Sequence, residues 1–211
     1  MGTTEHWGDF RADFPKDVVK ALLRGAIACY PAAWEGSQGL SKSSAKYLIG
    51  HYRHALLRDT FEQVAERFSS ISVTITPTTP PTTDFVELVS GQSILALASV
   101  QMKREVPRFA QQRASRAAVI NYSLWESEKA GQRGYALLLC GPDVSWDRVK
   151  HVPAFIDIGI PAHDYSTYIE YRRLYDWFPG TVEEAAGVSP AEIRKAYLRM
   201  RRHRKHGSEE A

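Results

Sequence analysis

Six apolar residues stand in succession at Tyr135-Ala-Leu-Leu-Leu-Cys140, too few for a helix and without the alternation of a half-solvated strand. Such a run is a strand buried on both faces, so a sheet in this chain must carry helices above and below it. Ala154 to Ile160 repeats the pattern. The architecture expected is α/β, with a central sheet flanked by helices.

The flanking segments supply those helices. After Pro15, the residues Val18, Val19, Leu22, Leu23, Ala26 and Ile27 recur at helical spacing and the run stops at Pro31, which predicts a core-facing helix over 15–34. Ser41 to Phe68 predicts a long helix, open to interruption at Gly50, with Leu48, Leu56, Leu57, Phe61 and Val64 in its apolar stripe. His51 and His54 lie one turn apart on it, but no third metal ligand accompanies them.

At Ile71 the period changes to two. Ile71-Ser-Val-Thr-Ile-Thr76 reads as a strand, Pro77 to Thr83 as a stiff Pro/Thr loop, and Asp84–Val89 and Ser93–Lys103 as two strands joined by a turn at Ser90-Gly91-Gln92. Together they form an antiparallel meander. Pro107 then opens an amphipathic helix reaching Tyr122, with Arg108, Arg113 and Arg116 on its basic side, and a polar loop from Ser127 to Gly134 ends it. Asp164 to Phe178 reads as a helix rich in tyrosine (Tyr165, Tyr168, Tyr171, Tyr175) and is the candidate seam of a homodimer. Thr181 with Glu184, and Ser189 with Glu192, match two capping boxes, the second reinforced by Pro190 at the first helical position.

With 211 residues, 44% of them hydrophobic, the chain can build one sizeable core plus a small appendage. The division expected is an α/β core over 1–162 and a C-terminal helical segment with a basic tail over 163–211. No stretch approaches the ~18 apolar residues of a membrane span, and the first residues are polar. A cytoplasmic protein with no membrane partner is expected. Cys29 and Cys140 sit far apart in apolar surroundings, as buried reduced thiols would.

The net charge of +3 conceals a strong asymmetry. Seven basic residues, Arg194, Lys195, Arg199, Arg201, Arg202, Arg204 and Lys205, crowd Ile193–His206 without one acid, leaving 20 basic against 24 acidic residues elsewhere. A block of this kind suits release of counterions from a phosphate backbone, and duplex DNA is the partner expected. The bland reading is a solvated tail or one that docks on an acidic protein.

The order helix, three antiparallel strands, helix, strand resembles the αβββαβ core of the PD-(D/E)xK nuclease superfamily. In that family an acid opens the second strand, and a Glu or Gln and a Lys stand two apart on the third. Asp84 here opens the second strand, and Gln101-Met102-Lys103 ends the third, 17 positions on. Thr83 stands where the family has Pro, and Gln101 where it more often has a carboxylate. The resemblance covers roughly residues 45–160. It implies a Mg²⁺-dependent endonuclease of the restriction, mobile-element or phage-defence type. Asp84 would hold the metal and position the attacking water, Lys103 would stabilise the developing charge, and Gln101 would offer a carbonyl oxygen. Glu62, Glu66 or Glu87 would supply the second carboxylate. The helix after the third strand would bring Arg104, Arg108, Arg113 and Arg116 toward phosphates.

Two other classes compete with a nuclease. One is a non-catalytic DNA-binding regulator on the same core, and the other a protein-binding module, such as an antitoxin or inhibitor, whose basic helix meets an acidic partner. Thr181 to Glu192 also resembles a shortened helix-turn-helix. Phosphate-loop, GxGxxG, HExxH and Gly-x-Ser-x-Gly patterns are all absent.

Overall fold

The computed structural model describes residues 5–77, 84–107, 111–118, 134–146 and 150–206. Two helices, α1 (Glu5–Asp13) and α2 (Lys16–Gly36), flank Pro15. α2 passes through Pro31 rather than stopping there. Proline removes one hydrogen bond, but Tyr30 and Ala33 are buried on the core stripe and carry the helix onward. α3 (Lys42–Arg67) starts at Ser41, whose Oγ accepts from the Ser44 amide at 3.3 Å, and runs unbroken through Gly50. Its buried residues, Leu57, Thr60, Phe61 and Val64, all lie in its second half.

The meander is present as β1 (Ser72–Pro77), β2 (Asp84–Ser90) and β3 (Ser93–Ser99), each pair antiparallel. After α4 (Gln111–Arg116), β4 (Gly134–Cys140) lies parallel to β3. β5 (Asp143–Trp146) and β6 (Lys150–Pro153) form a separate hairpin that the sequence reading omitted. β7 (Ile156–Pro161) and β8 (Tyr168–Arg173) complete a six-stranded mixed sheet in the order β1-β2-β3-β4-β7-β8. The protein is thus mixed α/β with helices on both sides of the sheet. Nearly every residue of β4 is buried, as its unbroken apolar run demands. Both cysteines are free and buried.

The segment after β7 and the end of β3 differ from expectation. The tyrosine-rich segment is a strand, β8, followed by a single turn, α5 (Leu174–Trp177). Tyr168 donates to the Glu105 carbonyl (2.9 Å), Tyr175 to the Pro153 carbonyl (2.7 Å), and Tyr165 is buried. β8 pairs antiparallel with β7 at the edge of the sheet. The third strand stops at Ser99 instead of Lys103, because the Glu105 carboxylate accepts from the Gln101 (2.9 Å) and Met102 (2.7 Å) amides and closes a turn.

α6 (Pro179–Ala186) begins two residues before Thr181, which is buried within it, so the first capping box is unused. Gly187, at φ +64°, ends it in the left-handed conformation that glycine adopts freely. The second box forms as expected. The Ser189 amide and hydroxyl donate to Glu192 Oε2 (2.9 and 2.8 Å), the Glu192 amide donates back to Ser189 Oγ (3.3 Å), and α7 (Pro190–His206) follows. No helix among the described residues is long and apolar enough to cross a membrane.

Candidate functional site

Alternation along β2 decides which acids can meet. Asp84, Val86, Leu88 and Ser90 share the face toward α3: Arg58 of that helix holds Asp84 Oδ2 at 2.6 Å and Glu62 at 3.0 Å, and Ser90 Oγ bonds the Asp13 carbonyl. Glu87, three positions from Asp84, stands on the opposite face. There it is 1% exposed and paired with Arg116 of α4 at 3.1 Å. Burial pushes its carboxyl up, against the pull of Arg116, and Oε1 has no hydrogen-bond partner.

Gln101 and Lys103 share no strand face with each other, since both lie in the turn after β3. Gln101 is exposed. Lys103 is half-buried, with Nζ 5.7 Å from the Phe155 ring centre, and lies within electrostatic reach of Asp157 on β7 rather than beside Asp84. Burial depresses its ammonium, offset in part by that carboxylate. Asp157 is fully buried, accepts a hydrogen bond from Tyr171 on its Oδ2, and leaves Oδ1 without a partner. Burial raises its carboxyl to about 6, with Tyr171 and then Lys103 opposing the rise. Through the register Ala98↔Leu139↔Asp157, this acid belongs to the face of Glu87, not of Asp84.

The carboxyl ends of the parallel β3 and β4 are where an open α/β sheet presents a ligand site, and the Lys103–Asp157–Tyr171 group occupies that edge. There the carboxyl of Asp157, raised to about 6 by burial, accepts the Tyr171 phenol hydrogen bond and lies within electrostatic reach of the Lys103 ammonium. Sequence reading missed Asp157 and gave Tyr171 only a place in the dimer seam. The available signal was a single acid in the otherwise apolar strand run Ala154–Ile160.

The carboxylates expected to hold Mg²⁺ do not fit one ion. Asp84 is engaged by Arg58, Glu87 faces the other side, and exposed Glu66 lies two turns, about 12 Å, further along α3 than Arg58. Glu62 is held by the same arginine. Among the described residues no three His, Cys, Asp or Glu side chains group as metal ligands, His51 and His54 included.

The basic groups divide differently. α7 buries Ile193 and Tyr197, half-buries Ala196 and Met200, and so docks one stripe on the body beside β5 and Phe155. Arg194, Lys195, Arg199 and Arg201 are exposed on the rest of its surface. Arg202, Arg204 and Lys205 continue the helix, and their side chains lie outside the described residues, as does Arg108. Arg116 is committed to Glu87 and Arg113 is half-buried, so neither is a free phosphate contact. Arg104 is exposed after β3 with φ +60°.

The chain matches no family model, no curated protein and no solved structure.

Proposed function

We propose that the protein binds nucleic acid, duplex DNA in the first instance, through the exposed basic face of α7, and that it does so without hydrolysing it. The observation that carries this reading is the helix itself. It is pinned by a buried stripe and a reciprocal cap, and it holds Arg194, Lys195, Arg199 and Arg201 outward with its one acid, Glu192, used up in the cap. A helix fixed in this way offers phosphates a pre-arranged row of charges, in contrast to a mobile tail. Asp84 tied to Arg58, and Lys103 within electrostatic reach of Asp157, favour binding over catalysis. A cytoplasmic location with both thiols reduced belongs to the same reading.

A Mg²⁺-dependent endonuclease is the second reading. What favours it is the αβββαβ order, with Asp84 at the start of β2 and β3 parallel to β4. The two are separated by incubating the protein with supercoiled plasmid and with single-stranded DNA in Mg²⁺ or Mn²⁺, beside a mobility-shift assay. The expected result is retardation of duplex without cutting. Metal-dependent cutting abolished by Asp84→Ala and by Lys103→Ala would replace binding with hydrolysis, and absence of both activities would point to an acidic protein partner.

A further inference from the structure

A second concentration of positive charge lies apart from α7, around the exposed edge of β8. Arg11 of α1, Arg104 of the turn after β3, and Arg172 and Arg173 of β8 line an open cleft of about 560 Å³, with Trp7 and Trp177 in its wall. Three of these guanidiniums lie over rings: Arg11 over Trp177 (5.6 Å), Arg104 over Tyr171 (5.7 Å) and Arg172 over Trp7 (5.6 Å). A ring face fixes the plane of a guanidinium but consumes none of its five N–H donors.

Counter-charge in the cleft is scarce. Arg173 is matched by Asp176 at 2.8 Å, and Arg172 has only the looser Glu170 at 3.6 Å. Among the described residues, no carboxylate lies within ion-pair distance of Arg11 or Arg104. Arg104 also holds a φ of +60°, unfavourable for a residue with a side chain, and its amide donates to Tyr171 Oη at 3.2 Å. Oriented forks, with two of the four arginines lacking a paired acid, suit recognition of a phosphoryl group. The rings are already covered, Trp7 by Arg172 and by Phe10 stacked at 5.3 Å, so no free platform for a base remains. The cleft reads phosphate alone.

We propose that this cleft is a second phosphate-binding site, and that its ligand is the phosphodiester backbone of the same nucleic acid that α7 contacts. Only the source of the phosphate rests on the α7 reading. Lys103 joins the two surfaces, since it precedes Arg104 and its Nζ lies 5.7 Å from the Phe155 ring, which in turn packs edge-on against Tyr197 of α7 at 5.9 Å. A free polyphosphate compound would present the same chemistry.

The test uses the full chain in three forms beside wild type: Arg11→Gln/Arg172→Gln, Arg104→Gly, and a variant with Arg194, Lys195, Arg199 and Arg201 all changed to Gln. Arg104→Gly suits the positive φ, so it remains informative if the double variant loses stability. Fluorescein-labelled duplex is titrated across a salt series, and pyrophosphate is titrated against tryptophan fluorescence, which Trp7 and Trp177 report. The double cleft variant is expected to bind duplex about tenfold or more weakly, with the salt slope shallower by about two. A lost pyrophosphate response with duplex binding intact would assign the cleft to a free phosphate compound instead of a backbone. Unchanged binding of both ligands in the double variant and in Arg104→Gly would overturn the proposal and leave arginines that merely guard an edge strand. Failure of the α7 reading shows separately, as undiminished duplex affinity in the α7 variant.

Discussion

Tyr171 on β8 donates its phenolic hydrogen bond to Asp157 on β7, diagonally across the ladder in which Asp157 pairs with Arg173 and Gly159 with Tyr171. That bond and nearby Lys103 only partly offset the burial that raises Asp157 to about 6. A carboxyl raised in the folded state binds more protons folded than unfolded between its ordinary value of 3.8 and about 6. Stability therefore grows as pH falls through about 6, and the charged form opposes folding above it. Full linkage is about 3 kcal/mol. Asp157→Asn, which keeps an acceptor for Tyr171, should flatten this dependence and gain most, relative to wild type, at pH 8. Urea midpoints at pH 5 and pH 8 measure it, and an unchanged pH dependence would mean Asp157 is not the titrating group.

Arg116 and Glu87 form a pair in which only the arginine reaches solvent. Arg116→Met strands a buried carboxylate and should destabilise the fold by about 1–3 kcal/mol at pH 7, and by progressively less as the pH is lowered, because burial already favours the protonated form of Glu87. Glu87→Gln in the same chain should recover most of the loss. A double-mutant cycle by chemical denaturation gives the coupling, and a value near zero would show that the pair does no work.

Gly91 turns the β2–β3 hairpin at φ +50°, and a Cβ there would collide with the Asp13 carboxylate that accepts from the Gln92 amide (2.9 Å) and Ser93 Oγ (2.8 Å). Gly91→Ala is expected to destabilise by about 1–3 kcal/mol, above the ordinary cost of a single glycine replacement, because strain and loss of that cap coincide. Thermal unfolding beside Gly50→Ala, a helical site with open space around it, separates the two effects.

Ser189→Ala removes one half of the reciprocal cap of α7 and should weaken the helix by about 1 kcal/mol. Faster amide exchange confined to the first turns of α7, with β4 unaffected, is the expected signature. Uniform exchange across the chain would instead tie α7 to the global fold.

Local pattern carries the meander, because alternation in Ile71–Thr76 and the Gly91 turn express strand period and turn chemistry directly. It carries the second cap as well, since Ser189, Pro190 and Glu192 are adjacent in sequence. β8 is hidden: Tyr165, Tyr168, Tyr171 and Tyr175 recur at helical spacing, while the pairing that makes Tyr168–Arg173 a strand comes from β7 across a turn. β3 ends early for a similar reason, as the Glu105 carboxylate that caps Gln101 and Met102 belongs to no strand pattern. The site follows the same division. Asp84 at the mouth of β2 is readable, but its partner Arg58 comes from α3, and only the folded sheet brings Lys103 within electrostatic reach of Asp157.

The salt dependence of duplex binding tests the central claim most directly. Affinity of wild type for a labelled duplex should fall steeply with salt, and changing Arg194, Lys195, Arg199 and Arg201 to Gln should make the slope of log affinity against log salt shallower by about three to four, at about 0.9 per phosphate contact. Wild-type affinity that is flat in salt, or a folded α7 variant with the same affinity and slope as wild type, would contradict nucleic-acid binding through α7.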